Sequence, residues 1–349
     1  MSYLIQKTLP SKAEVKTKLP LSSKLKEQVL NDREEIRGIL SGQDSRKLLI
    51  IGPCSAWPEQ AVLDYAEKLA PLAKKFRENL KIVMRVYIQK PRTIVGWQGP
   101  IVQPDPFGEI DMPAGIFYCR KMMLEVIKKG LPIADEILFP RQESYFRDLL
   151  SWAAIGARSS ENQEHRILAS MLDLPIGMKN PTSGSIKIGI NSVLAGQSPN
   201  YLAVKNTQVK TSGNPFVHLV LRGGKGKPNI SREKLKKLAK YFAEKPIQNK
   251  SFLIDSSHEN SIDKNGQKNP LKQPDIVWES LKISREIGLE KELKGWMLES
   301  FLVDGQQNCS KLKSRENLEY GKSITDACLG WEKTEKFITE LAKKLTKND

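Results

Sequence analysis

Apolar positions along this chain follow two alternating periods. From Lys47 onward, short uninterrupted apolar runs recur at Leu48–Pro53, Ile82–Tyr87, Ile133–Leu138, Ala153–Ala157, Pro175–Lys179, Tyr201–Val204, Val217–Arg222, Phe252–Asp255 and Trp296–Glu299. Between them the period lengthens to that of a helix: Val62, Tyr65, Ala66 and Leu69 share one face, as do Met122, Met123, Val126 and Ile127, and Leu235, Leu238, Tyr241 and Phe242. A final helix carries Phe337, Ile338, Leu341 and Leu345. Strand-like runs alternating with helical segments predict repeated βα units around a parallel sheet. A closed barrel takes eight strands, so Tyr201–Val204 is assigned to a short insertion ahead of the sixth barrel strand, Val217–Arg222. The expectation is a (β/α)8 TIM barrel over residues 47–349, preceded by an extension, residues 1–46. That extension starts polar and lysine-rich and holds one helix near Ser22–Leu40, with Leu25, Val29, Leu30, Ile36 and Ile39.

Composition adds little to this picture and removes several alternatives. The 349 residues are 39% hydrophobic and 28% charged, as in ordinary globular chains, and no apolar run approaches the roughly 18 residues of a membrane span. Met1 to Pro10 lacks the apolar stretch of a secretory signal. Cys54, Cys119, Cys309 and Cys328 form no CxxC pair, which argues against a disulfide framework or zinc ribbon and for a reducing, cytoplasmic setting. The net charge of +16 is scattered over helix faces such as Leu235 to Lys240, with no aromatic-basic motif, so nucleic acid is not the expected partner.

Charge matters more at one recurring place, the carboxyl end of each strand, where parallel barrels build their sites. Arg85 and Lys90 follow the second run, with Arg92 close behind; Arg158, Lys179 and Arg222 end later ones, and Glu136 sits in the third. One such cation is most simply a side chain snorkelling into water. Several from different strands would repel one another without an anionic occupant. Arginine forks match carboxylate and phosphate oxygens, so the substrates are expected to be small, phosphorylated and acidic. Cys54, His258, Glu299 and Asp326 form a second group. Each has an ordinary structural reading alone; together a thiol, an imidazole and two carboxylates suit Mn2+, Fe2+, Co2+ or Zn2+ better than Mg2+ or Ca2+.

These motifs resemble a known family. The residues carrying the likeness are "IGPCS" at 51–55, "IVMRVY", "KPRT" and "GW" within 82–97, "SWAAIGARS" at 151–159, and "HRILAS" at 165–170. To them are added "KN" at 179–180, "TSGN" at 211–214, "LRGGK" at 221–225, "IDSSH" at 254–258, "MLES" at 297–300 and "YGKSITDACLGWE" at 320–332. In order and spacing they are similar to the type I 3-deoxy-D-arabino-heptulosonate-7-phosphate (DAHP) synthases, the group with phenylalanine-, tyrosine- and tryptophan-sensitive members.

The resemblance implies a metal-dependent barrel that condenses phosphoenolpyruvate with erythrose 4-phosphate, the first step towards chorismate. It implies Cys54, His258, Glu299 and Asp326 as metal ligands, with Mn2+ the first choice of ion. It implies Arg85, Lys90, Arg158, Lys179 and Arg222 for phosphoenolpyruvate, Pro91, Arg92 and Thr93 for erythrose 4-phosphate, and Ala157 and Asp326 as further substrate-binding residues. Lys90, Glu136, Cys54 and His258 are the catalytic candidates, Glu136 as the group that orients water. A homo-oligomer, dimer or tetramer, is implied as well, with residues 1–46 supplying oligomer and regulatory contacts.

Departures fall outside this set. The chain reads "DPFGEID" at 105–111, where a histidine- and methionine-containing stretch is usual, and its insertion, "VKNTQVKTSGN" at 204–214, is shorter than usual. Pro181 and Asp135 stand where glycine is usual, and Ser256 replaces a phenylalanine. The insertion and the amino-terminal segment are where such enzymes build an aromatic amino acid effector pocket, so inhibition by phenylalanine is expected to be weak or absent. Cys328 is a candidate neighbour of Cys54. Two other readings stand beside this one: condensation of phosphoenolpyruvate with a different aldose phosphate, and a non-catalytic basic barrel that binds nucleic acid.

Overall fold

The computed structural model describes residues 3–91, 96–140, 143–204, 206–309 and 314–346. In chain order the elements are α1 (Lys12–Lys18), α2 (Ser23–Ser41), β1 (Lys47–Gly52), α3 (Glu59–Lys75), β2 (Leu80–Arg85), α4 (Met112–Lys128), β3 (Ile133–Glu136), β4 (Trp152–Ile155), α5 (Gln163–Met171) and β5 (Ile176–Lys179). There follow α6 (Ile186–Gln197), β6 (Tyr201–Val204), β7 (Thr207–Lys210), β8 (Val217–Leu221), α7 (Arg232–Glu244), β9 (Phe252–Asp255), α8 (Gln273–Glu286), β10 (Leu293–Glu299) and α9 (Trp331–Thr346). Eight strands close a parallel barrel in the order β1-β10-β9-β8-β5-β4-β3-β2.

All eight barrel strands of the sequence reading are present, with ends that agree to within three residues and Phe252–Asp255 matched at both ends. Tyr201–Val204 is the ninth run, and it stands apart as expected. It pairs antiparallel with β7, a strand the apolar pattern did not predict, because Thr207–Lys210 is exposed and polar. The helix foreseen near 22–40 runs from Ser23 to Ser41, started by Ser22 Oγ accepting from Leu25 N at 3.4 Å and ended by Gly42 at φ +84°. A left-handed residue at that point favours glycine. The short helix α1 was not predicted; Val15 is its one buried residue.

Two apolar layers hold the barrel. The outer layer lies between strands and helices, with Tyr65, Ile82, Met122, Leu235 and Phe337 among its members. The inner layer gathers Leu48, Ile50, Val83, Trp152, Val220, Leu253 and Met297, and Ile36, Ile39 and Leu40 of α2 join it from below. Arg33 of α2 donates to the carbonyls of Leu150 (2.8 Å) and Arg147 (2.6 Å), in the loop entering β4. The helix therefore closes the amino-terminal mouth of the barrel, leaving the carboxyl-terminal mouth open for a site. Trp152 fits inside because β5 carries Gly177 beside it; a Cβ there would lie 2.3 Å from the indole.

His218 of β8 is buried against that indole. Trp152 Nε1 donates to His218 Nε2 at 3.2 Å, so His218 Nδ1 carries the proton and donates to the Phe216 carbonyl at 2.9 Å. Burial lowers the ring's pKa from 6.5 to about 4. The folded state thus favours the neutral ring, and its contribution is intact above pH 6.5 and lost as pH falls towards 4. That loss is about 3 kcal/mol. In denaturant titrations at pH 7 and pH 4, His218→Gln is expected to lose less stability than the parent by about that amount; equal losses would contradict a buried neutral imidazole.

Candidate active site

The carboxyl ends of the strands surround a cavity of about 370 Å³ lined by Arg85, Lys90, Pro91, Glu136, Ala157, Arg158, Lys179, Arg222, His258, Glu299 and Asp326. Each of these was predicted from sequence. Arg92 and Thr93 lie outside the described residues.

Arg85 and Glu299 end the two strands that flank β1, and both are buried. Arg85 Nη2 donates to Glu299 Oε1 at 3.0 Å, and its guanidinium stacks 4.0 Å from the Tyr87 ring centre. Ser257 Oγ donates to Glu299 Oε2 at 2.6 Å. Among the described residues, Arg85 Nη1 has no hydrogen-bond partner although it is fully buried. A buried guanidinium N–H without an acceptor is costly, and an anionic oxygen in the cavity would supply one.

Lys179, at the end of β5, bridges two acids: its Nζ is 3.3 Å from Glu136 Oε2 and 3.4 Å from Asp255 Oδ2. Burial alone would raise both carboxyls, but His258 and Lys179 hold Asp255 well below the usual carboxylate range, while Lys179 and Lys90 lower Glu136. Glu136 fits because its neighbour on β4 leads into Gly156; a Cβ there would sit 2.4 Å from Glu136 Oε1. Arg222 reaches Glu259 at 3.8 Å, and Arg158 stands exposed on the rim.

Beside the cations, Cys54 Sγ, a Glu299 oxygen and an Asp326 oxygen all lie within 4.8 Å of one another. Donors on one tetrahedral ion, with bonds of about 2.0–2.3 Å, stand roughly 3.5 Å apart, a separation inside the limit that the three atoms share. The mix of one sulfur and two carboxylates suits a borderline divalent ion. Lys90 Nζ donates to Cys54 Sγ at 3.0 Å and to the Cys54 carbonyl at 2.7 Å; Lys268 Nζ donates to Asp326 Oδ2 at 2.8 Å. Burial and the Glu299 charge push the Cys54 thiol up to about 11, with Lys90 opposing them, so a thiolate here needs a strong cationic partner. Burial pulls Lys90 down, yet Cys54, Glu299 and Asp326 more than offset it and its pKa lies above the ordinary lysine value. His258 lines the same cavity but stands outside the trio: its Nδ1 lies 2.9 Å from Asp255 Oδ2. Cys54 N points at Cys328 Sγ, 3.4 Å away, and both cysteines are free.

The structure adds Tyr87, Gln89, Thr182, Glu259 and Lys268 to the cavity wall, and Asp255 behind it, none singled out from sequence. Asp255 was findable, since it ends a predicted strand as Lys179 and Glu299 do. Lys268 gave no signal: it sits in an irregular segment with no periodicity.

A parallel barrel whose carboxyl end gathers cations around a cavity, next to a thiol-carboxylate trio that is a candidate metal site, has the architecture of an enzyme active site. The sequence profile of the DAHP synthetase I family matches residues 18–339, and the chain belongs to that family. It is an enzyme of the DAHP synthase type, at the condensation step of aromatic biosynthesis. It is 42% identical over 350 residues to the phenylalanine-sensitive phospho-2-dehydro-3-deoxyheptonate aldolase of Escherichia coli K12, covering 97% of this chain and 94% of that one. With the phospho-2-dehydro-3-deoxyheptonate aldolase of Corynebacterium glutamicum the identity is 40% over 344 residues, covering 96% of this chain and 91% of that one. The solved structure of the Francisella tularensis SCHU S4 phospho-2-dehydro-3-deoxyheptonate aldolase superposes with a TM-score of 0.90 at 34% identity, covering 99% of both chains. No helix among the described residues is long and apolar enough to cross a membrane.

Proposed function

We propose that this cavity condenses phosphoenolpyruvate with erythrose 4-phosphate and water to give DAHP and inorganic phosphate, with a divalent ion held by Cys54, Glu299 and Asp326 and His258 at hand as a fourth ligand. The observation that carries the reading is the buried Nη1 of Arg85, without a hydrogen-bond partner among the described residues, in a wall that also holds Lys90, Arg158, Lys179 and Arg222. Phosphoenolpyruvate offers a carboxylate and a phosphate, the oxygens such a wall would satisfy. Mn2+ is the first choice of ion, on donor softness.

The residues divide the work. Arg85, Lys179, Arg158 and Arg222 hold and orient phosphoenolpyruvate, fixing its C3 towards the aldehyde. When bound, the ion would polarise the aldehyde carbonyl and make its carbon open to attack. As C3 bonds to that carbon, positive charge develops at C2 of phosphoenolpyruvate, and Glu136 is placed to orient the water that adds there. Phosphate then leaves by cleavage of its bond to C2. Lys90, within hydrogen-bond distance of Cys54 Sγ, is the proton carrier assigned to the reaction. A homo-oligomer, dimer or tetramer, belongs to the same reading.

Phosphate release from phosphoenolpyruvate is expected to require both erythrose 4-phosphate and a metal: EDTA should abolish it and Mn2+ restore it. Release with another aldose phosphate alone would reassign the acceptor, and metal-independent release would remove the ion from the reading. The same assay, titrated with phenylalanine, tyrosine and tryptophan, tests the weak phenylalanine inhibition that the altered insertion suggests.

A further inference from the structure

The loop that carries Lys90 leaves β2 just where main-chain pairing with β3 runs out. The last such bond is Val86 N to the Ala134 carbonyl, 2.8 Å. Beyond it, two side chains continue the ladder. Asp135 Oδ1 accepts from Ile88 N at 3.2 Å as well as from Glu136 N at 2.8 Å. In the opposite direction, Gln89 Oε1 accepts from Leu138 N at 3.2 Å. Both side chains are buried, Asp135 to 5% and Gln89 to 4% exposure. On the far side of the loop, Lys90 N donates to the Gln98 carbonyl at 2.9 Å and Ile101 N to the Ile88 carbonyl at 3.5 Å.

We propose that Asp135 and Gln89 form a reciprocal clamp that extends the β2–β3 ladder by side chains and fixes where Lys90 stands, making both of them positioning residues for the condensation. The clamp grips the two residues immediately before Lys90, whose ammonium reaches Cys54 Sγ from beyond the end of β2. The catalytic part of this proposal rests on the reading that Lys90 serves the condensation. Asp135 occupies a position where a glycine would offer no acceptor to Ile88 N, so this half of the clamp belongs to this chain's own sequence. Burial raises the Asp135 carboxyl to about 8, with Glu136 adding to the rise and Lys90 and the two backbone N–H groups opposing it. Its Oδ1 accepts hydrogen bonds whether or not the acid is protonated, and asparagine keeps that acceptor.

Two measurements on the full-length enzyme separate the clamp from its catalytic use. Hydrogen exchange of the segments around Ile88 and Leu138 is expected to quicken about tenfold or more in Asp135→Ala and Gln89→Ala, as single buried hydrogen bonds are lost, and to stay near the parent rate in Asp135→Asn. In parallel, kcat/KM for phosphoenolpyruvate should fall about 10- to 100-fold in the two alanine variants and recover to within about threefold in Asp135→Asn. Unchanged exchange in both alanine variants would overturn the clamp. Faster exchange with unchanged kcat/KM would overturn its role in placing Lys90. If one alanine variant fails to fold, the other carries the test. A parent enzyme that releases no phosphate would overturn the functional reading and the catalytic role with it, while exchange still decides the clamp.

Discussion

Lys179→Met is expected to lower kcat/KM at least about 1000-fold and to destabilise the fold by about 3–5 kcal/mol, the range for breaking a buried ion pair from one side. The stability loss follows from the company this ammonium keeps. At 2% exposure it is 3.3 Å from Glu136 and 3.4 Å from Asp255, so its removal leaves two buried carboxylates with no cation between them. Without Lys179 both acids take up protons more readily, so the deficit should be largest at neutral and alkaline pH and should shrink as pH falls. Thermal unfolding at pH 7.5 and 5.5 checks this, with Tm lowered by roughly 5–10 °C at the higher pH. Adding Glu136→Gln should restore much of the stability and none of the activity. A Lys179→Met enzyme with ordinary Tm would mean that the three groups are not an ion network.

Cys54→Ala should abolish metal retention and lower turnover at least about 1000-fold while leaving the fold almost untouched. The thiol is small, and the bond from Lys90 Nζ to the Cys54 carbonyl at 2.7 Å survives the change. Glu299 keeps Arg85 and Ser257, and Asp326 keeps Lys268. What disappears is the one soft donor, so a loss of function can be ascribed to the ligand set. Metal content after dialysis is the direct check: equal metal retained by Cys54→Ala and the parent would exclude the thiol as a ligand.

How much of this was legible depended on burial. Parallel strands covered on both faces read as continuous apolar runs, so "LLII", "IVM" and "FLI" announced β1, β2 and β9 without ambiguity. β7 and α1 were illegible for the opposite reason, since each has one face or none in the core and its residues follow no apolar period. In the site, cations at strand ends stood out because a charge next to a buried run is conspicuous. Tyr87 was hidden by looking like one more apolar residue, and it proves to be the platform under Arg85. Lys268 was hidden among the lysines of an irregular segment, and only the fold brings it to Asp326. His258 illustrates a different limit: its residue type marked it as a metal donor, while its nearest carboxylate is Asp255, a partner that sequence spacing did not suggest.

The pairing of β1 with β10 closes the ring, with Leu48 beside Gly295 and Gly52 beside Glu299. During synthesis the first strand therefore leaves the ribosome long before β10 exists, and Ile36, Ile39 and Leu40 of α2 have no finished interior to enter. Contacts so distant in sequence make assembly slow and leave apolar surface uncovered in the nascent chain. The same separation dates the metal site: Cys54 waits for a segment whose Cys328 lies 274 positions further on. An ion can be captured by the complete trio only after nearly the whole polypeptide has emerged, so metal acquisition would be a late, post-translational event in the life of this enzyme.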